Sequence, residues 1–86
     1  MRSIEIRQPG GPEVLTPTTR DKPVPGATEL LIKVAAAGVN RPDCLQRQGA
    51  YPPPPGASDI PGLEIAGEVE AVGASVQGFK PGDQVC

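Results

Sequence analysis

Apolar and polar positions alternate with a period of two along most of this chain, which is the pattern of half-buried strands. Over Arg2–Arg7, Ile4 and Ile6 share one face and Ser3, Glu5 and Arg7 the other. Glu13–Thr19, with Val14, Leu15 and three threonines, reads as a second strand. It belongs at a sheet edge, because Pro17 cannot donate to a ladder. Glu29–Ala37 is the strongest pattern, with Leu30, Ile32, Val34 and Ala36 opposite Leu31, Lys33, Ala35 and Ala37. Its small three-alanine end predicts a closely packed neighbour. Leu63–Val72 alternates again, with Glu64, Glu68 and Glu70 on the face away from Leu63, Ile65 and Val69. Gly67 inside that strand predicts a bend or a close backbone approach. Gln84–Cys86 opens a fifth strand.

The breaks are equally legible. Gln8–Pro12 and Asp21–Gly26 are Pro/Gly turns and loops. Lys80-Pro81-Gly82-Asp83 carries the residues of a type II turn. Residues 73–82 form a connection anchored by Val76 and Phe79. One helix interrupts the strands. Asn40 suits its N-cap, Pro42 its first turn, Asp43 the positive end of its dipole, and Gly49 its stop. Capping alone would account for Asn40 and Asp43. Pro52–Pro55 imposes polyproline II geometry over roughly 12 Å. It reads either as a stiff surface loop or as a ligand for an SH3 or WW domain. No basic residue flanks the prolines, which favours the loop. Five strands, one short helix and many turns predict a mainly β fold, a small and partly open barrel.

Composition narrows the function classes. Eighty-six residues make one small domain, burying only about 60% of its unfolded surface. Eleven Gly and twelve Pro would suggest disorder in a patternless chain; here they punctuate strands. The net charge is −2 with no basic stripe, so nucleic-acid binding is not expected. No apolar run reaches transmembrane length and no secretory signal is visible, so no membrane association and a cytoplasmic location are expected. The chain has no histidine and only Cys44 and Cys86 as cysteines. It therefore offers no zinc set and no Cys-His or Ser-His pair of its own. There is no GxGxxG turn, no P-loop and no βαβ unit, so a nucleotide-binding Rossmann domain is absent from these residues.

The polar side chains suited to chemistry concentrate between Gly38 and Gly73, together with the single tyrosine, Tyr51. Several motifs there and beside it carry a resemblance. Gln8–Leu15, Ala36–Asp43 (AAGVNRPD), Leu45–Val69 (LQRQGAYPPPPGASDIPGLEIAGEV) and Val72–Val85 (VGASVQGFKPGDQV) resemble the N-terminal, GroES-like part of the medium-chain dehydrogenase/reductase superfamily. Within it the chain is similar to the zinc-independent NAD(P)H:quinone oxidoreductases, the group of zeta-crystallin and the p53-inducible quinone oxidoreductase. The resemblance runs over all 86 residues.

This resemblance implies a GroES-like partly open barrel over residues 1–86, incomplete, with the Rossmann NAD(P)-binding domain supplied by further sequence. It implies hydride transfer from NADPH to a quinone or other conjugated carbonyl by a cytoplasmic homodimer, the isolated 86 residues being inactive. In zinc-dependent relatives a Cys and a His ligate the metal at the positions of Asn40 and Leu63. Both ligands are replaced here, so no metal is expected. Asn40 and Asp43 are then implied on the cofactor side, and Tyr51 and Leu63 on the substrate side. Two competing readings remain: a free-standing GroES-like interaction module without activity, and an enoyl or enone reductase of the same superfamily.

Overall fold

The computed structural model describes residues 1–86. Its strands form two antiparallel sheets, one of two strands and one of three, and no closed barrel is made. The fold is mainly β with one short helix. By their contacts the residues divide into two compact units, Met1–Asp21 with Val39–Leu63, and Lys22–Gly38 with Glu64–Cys86.

In the first unit, β1 (Arg2–Ile6) pairs antiparallel with β2 (Leu15–Thr19), Ile4 facing Pro17. Each strand has only one partner, so Pro17 leaves no ladder position empty on a second neighbour. The expected strand start at Glu13 is replaced by a single 3₁₀ turn over Pro12–Val14. That turn swings Val14 inward to 2% exposure, making it a core residue. The predicted burial of Ile4 does not hold: it is 43% exposed, because a two-stranded ribbon has little apolar width to share. Ser3 is half-buried instead, and its hydroxyl is shut off without a partner. The helix α1 (Arg41–Arg47) ties to the turn after β1 by a reciprocal pair: Gly10 N–H to the Arg47 carbonyl at 3.0 Å, and Arg47 Nε to the Gly10 carbonyl at 3.1 Å.

In the second unit, β4 (Ile65–Val72) lies between β3 (Leu30–Ala37) and β5 (Gln84–Val85), both antiparallel to it. Val69 on the central strand is 1% exposed. Gly67 makes the close approach its sequence setting predicts: a Cβ there would collide with the Lys33 carbonyl oxygen. The register of β3 slips between Val34 and Ala36 at this point. The three-alanine end of β3 departs from expectation. Ala35, Ala36 and Ala37 are exposed, because β3 is an edge strand whose outer side carries no neighbour in the sheet. The turn at Lys80–Asp83 is as read: Asp83 N–H donates to the Lys80 carbonyl at 3.2 Å and Gly82 has φ +96°. Phe79, an expected anchor, is 49% exposed.

Candidate functional site

Asn40, Asp43, Tyr51 and Leu63 all fall in the first unit. Asn40 has extended backbone (φ −127°, ψ 164°) and begins α1 as its N-cap. Asp43, one turn on, closes a capping box with it. Its Oδ2 accepts the Asn40 N–H at 2.9 Å, and its own N–H reaches the Asn40 carbonyl at 3.0 Å. A helix of seven residues is too short to hold itself in water. The box, the Pro in its first turn and the tie to Gly10 are what keep it. It ends where Gly49 turns the backbone to φ +83°, a conformation that a Cβ disfavours.

The structure thus brings Asn40 and Asp43 together, both half-buried. The remaining oxygen of Asp43, Oδ1, is closed to water with no hydrogen-bond partner. A buried carboxylate oxygen without a donor is costly.

Tyr51 follows α1 by four residues and is 43% exposed, with Pro52–Gly56 exposed after it. The proline run does not continue as a straight rod. Ala57 N–H donates to the Pro54 carbonyl at 3.0 Å with Gly56 at φ +84°, so the last prolines enter a tight turn. Leu63 was expected to open the fourth strand. It stands instead on a bend two residues before β4, after Pro61 and Gly62 (φ +127°), and is 57% exposed. Tyr51 and Leu63 thus both present apolar surface outward.

Four residues that organise this region, Glu5, Arg20, Gln46 and Asp59, carry no sequence signal of it. Arg20, at the end of β2, donates Nη1 and Nη2 to the two carboxylate oxygens of Asp59 at 2.7 and 3.2 Å. Its Nε donates to Glu5 at 2.7 Å. Gln46 of α1 donates Nε2 to the Asp59 carbonyl at 3.0 Å. The paired guanidinium holds Asp59 below the usual carboxylate range, chiefly through the hydrogen bond. Nothing in the spacing of Glu5, Arg20 and Asp59 announces this cluster, since 39 residues separate Arg20 from Asp59. No group of three or more His, Cys, Asp or Glu side chains is arranged to hold a metal ion. No helix is long and apolar enough to cross a membrane.

The chain belongs to the family of alcohol dehydrogenase GroES-like domains, whose model matches residues 26–86. Within that family its likeness is to quinone oxidoreductases. The quinone oxidoreductase of Lama guanicoe is 45% identical over 86 residues, covering 99% of this chain and 26% of that protein. The crystal structure of the Escherichia coli quinone oxidoreductase complexed with NADPH superimposes with a TM-score of 0.83 at 38% identity, over 98% of this chain and 26% of that one. The human synaptic vesicle membrane protein VAT-1 homolog-like protein superimposes with a TM-score of 0.88 at 39% identity, over 98% of this chain and 27% of that one. The chain spans about a quarter of the length of the curated relatives it matches.

Proposed function

We propose that these residues form the N-terminal, substrate-side domain of an NADPH-dependent quinone oxidoreductase, a protein that passes a hydride to a quinone or another conjugated carbonyl. The observation that carries this reading is the likeness to quinone oxidoreductases along almost the whole chain. The nicotinamide, when bound, supplies the hydride. The contribution of this chain is to orient the two reactants and to shape the space between them.

Asn40 and Asp43 serve the cofactor side. The capping box fixes Asn40 before any ligand arrives, and Asp43 acts through that box, its Oδ2 holding the Asn40 N–H at 2.9 Å. Tyr51 and Leu63 serve the acceptor side. Tyr51 offers a hydroxyl able to donate to a quinone oxygen as negative charge gathers on it, and Leu63 offers apolar surface for the ring. Catalytic zinc has no part in this scheme. The two positions at which zinc-dependent members carry a Cys and a His hold Asn40 and Leu63 here, and neither side chain is a zinc ligand. The dinucleotide is held mainly by a Rossmann domain outside these residues, so the 86 residues alone are inactive. The reading carries with it a cytoplasmic homodimer.

The test is NADPH oxidation by the protein carrying this chain, with benzoquinones, naphthoquinones, enones and enoyl thioesters compared as acceptors, before and after dialysis against a chelator. Quinone-dependent turnover that survives chelation supports the proposal. Turnover restored only by zinc would sink the assignment of Asn40 and Leu63. A preference for enoyl thioesters would move the protein to the neighbouring reductase class.

A further inference from the structure

The segment after α1 is rooted at both ends and exposed between them. At the near root, Gly49 N–H donates to the Gln46 carbonyl at 3.0 Å and Ala50 N–H to the Leu45 carbonyl at 2.8 Å. At the far root stands Asp59, gripped by the Arg20 fork and by Gln46. Residues 51–58 are exposed throughout. Inside that span the backbone makes one hydrogen bond of its own, Ala57 to Pro54.

Two features give the Arg20–Asp59 pair a specific purpose. First, Arg20 already has a carboxylate. Glu5 takes its Nε at 2.7 Å, and the Arg20 carbonyl accepts the Met1 ammonium at 2.7 Å. The guanidinium is therefore compensated and held on the sheet before Asp59 is counted. Asp59, 72% exposed, gains little for global folding from an ion pair so open to solvent. What the pair does is join the far root to β2. Second, the span is stiff on its Tyr51 side. Four prolines with fixed φ separate Tyr51 from the turn at Gly56. A displacement at Asp59 reaches Tyr51 through the hydrogen-bonded Pro54–Ala57 turn and then through prolines whose fixed φ leaves little slack.

We propose that Arg20 and Asp59 form a latch that sets where the Tyr51–Pro55 segment stands, which makes them positioning residues for the electron acceptor. The proposal rests on the quinone reductase reading for its substrate and on the geometry alone for the latch. Neither residue touches the reacting atoms; both act through Tyr51. Arg20 is the better suited member for a fixed geometry, because its planar fork engages both oxygens of Asp59, which a lysine cannot do.

The experiment uses the whole protein that carries this chain, with Asp59→Ala, Arg20→Ala, the double variant, Asp59→Glu, and Glu5→Gln as a control that loosens Arg20 but leaves the fork. Asp59→Ala is expected to raise the quinone KM about fivefold while kcat and NADPH affinity stay within about twofold. Arg20→Ala added to Asp59→Ala should add nothing further, and Asp59→Glu should recover part of the loss. An unchanged KM in Asp59→Ala, or effects of the two single variants that multiply in the double, overturns the latch. Hydrogen exchange at Ala57 and Ile60 supplies an arm that needs no activity. Faster exchange in Asp59→Ala supports the latch, and unchanged exchange overturns it. If the wild-type protein reduces no quinone, the functional reading falls, and the exchange arm decides the latch by itself.

Discussion

The backbone N–H of Asn40 donates to Asp43 Oδ2 at 2.9 Å, so the first residue of α1 is held by the residue one turn inside it. Removing the Asp43 carboxylate leaves that N–H unpartnered at a half-buried helix start. Asp43→Ala should therefore cost about 1 kcal/mol of stability. Asp43→Asn, which keeps an acceptor oxygen, should cost less. Chemical denaturation of the two variants beside the wild type measures the difference. Equal losses would mean that the charge and not the hydrogen bond holds the cap.

Tyr51 is the one aromatic hydroxyl of the chain and stands half out of the surface. Tyr51→Phe removes a single donor and no ring. Its expected effect is a fall in quinone kcat/KM of about tenfold with NADPH affinity unchanged, the loss of one hydrogen bond to an oxygen gaining charge. Steady-state kinetics with each reactant varied in turn checks this. A variant with wild-type acceptor kinetics would take Tyr51 out of the site.

Gly67 has no room for a side chain. A Cβ would meet the Lys33 carbonyl oxygen, and the neighbouring Ile32 methyl lies at 2.9 Å from its position. Gly67→Ala must push β3 away from β4 and should destabilise by about 2 to 3 kcal/mol. Gly56→Ala is the contrast. It has open space around it and strains only φ, so it should cost about 1 kcal/mol. Comparable losses at the two positions would mean that backbone conformation, and not the β3–β4 contact, sets the requirement at Gly67.

Two carboxylates are held below the ordinary range near 4: Asp59 by the Arg20 fork, and Asp83 first by the Lys80 backbone N–H at 3.0 Å and then by its side chain. Because the folded value lies below the unfolded one, each contributes stability, small for the solvent-open Asp59, that is fully present above the unfolded value. That contribution is lost as pH falls through the lower folded value. The stability curve should therefore drop on acidification below about pH 4 and stay flat on this account from there to neutrality. Asp83→Asn should show a shallower acid limb than the wild type, measured as denaturation midpoints at successive pH values. An acid limb of unchanged slope would remove Asp83 from the set.

Much of the fold was readable in the chain. The period-two alternation located five strands within a few residues, and the Asn40–Gly49 signals placed α1 and both its ends. Gly67 was correctly read as a close approach. These features are local: one face of a strand, one capping side chain, one absent Cβ, each dictated by neighbours within a turn or by the next strand. The misreadings lie where a longer-range fact decides. Val14 looked like a strand residue and is buried from a 3₁₀ turn. Leu63 looked like a strand residue and stands on a bend, because Pro61 and Gly62 hold the chain out of line.

What the sequence by itself determined was the order and type of elements, the family likeness, and the absence of histidine from any chemistry these residues perform. Only the tertiary structure decided which exposed edge lies bare beside Ala35–Ala37, where the Tyr51 segment is rooted, and that Arg20 joins Glu5 to Asp59. The physical reason is the reach of the interactions. Periodicity and capping depend on residues a few positions apart. An ion pair across 39 positions depends on how sheet, helix and loop pack, and no pattern along the chain encodes that distance.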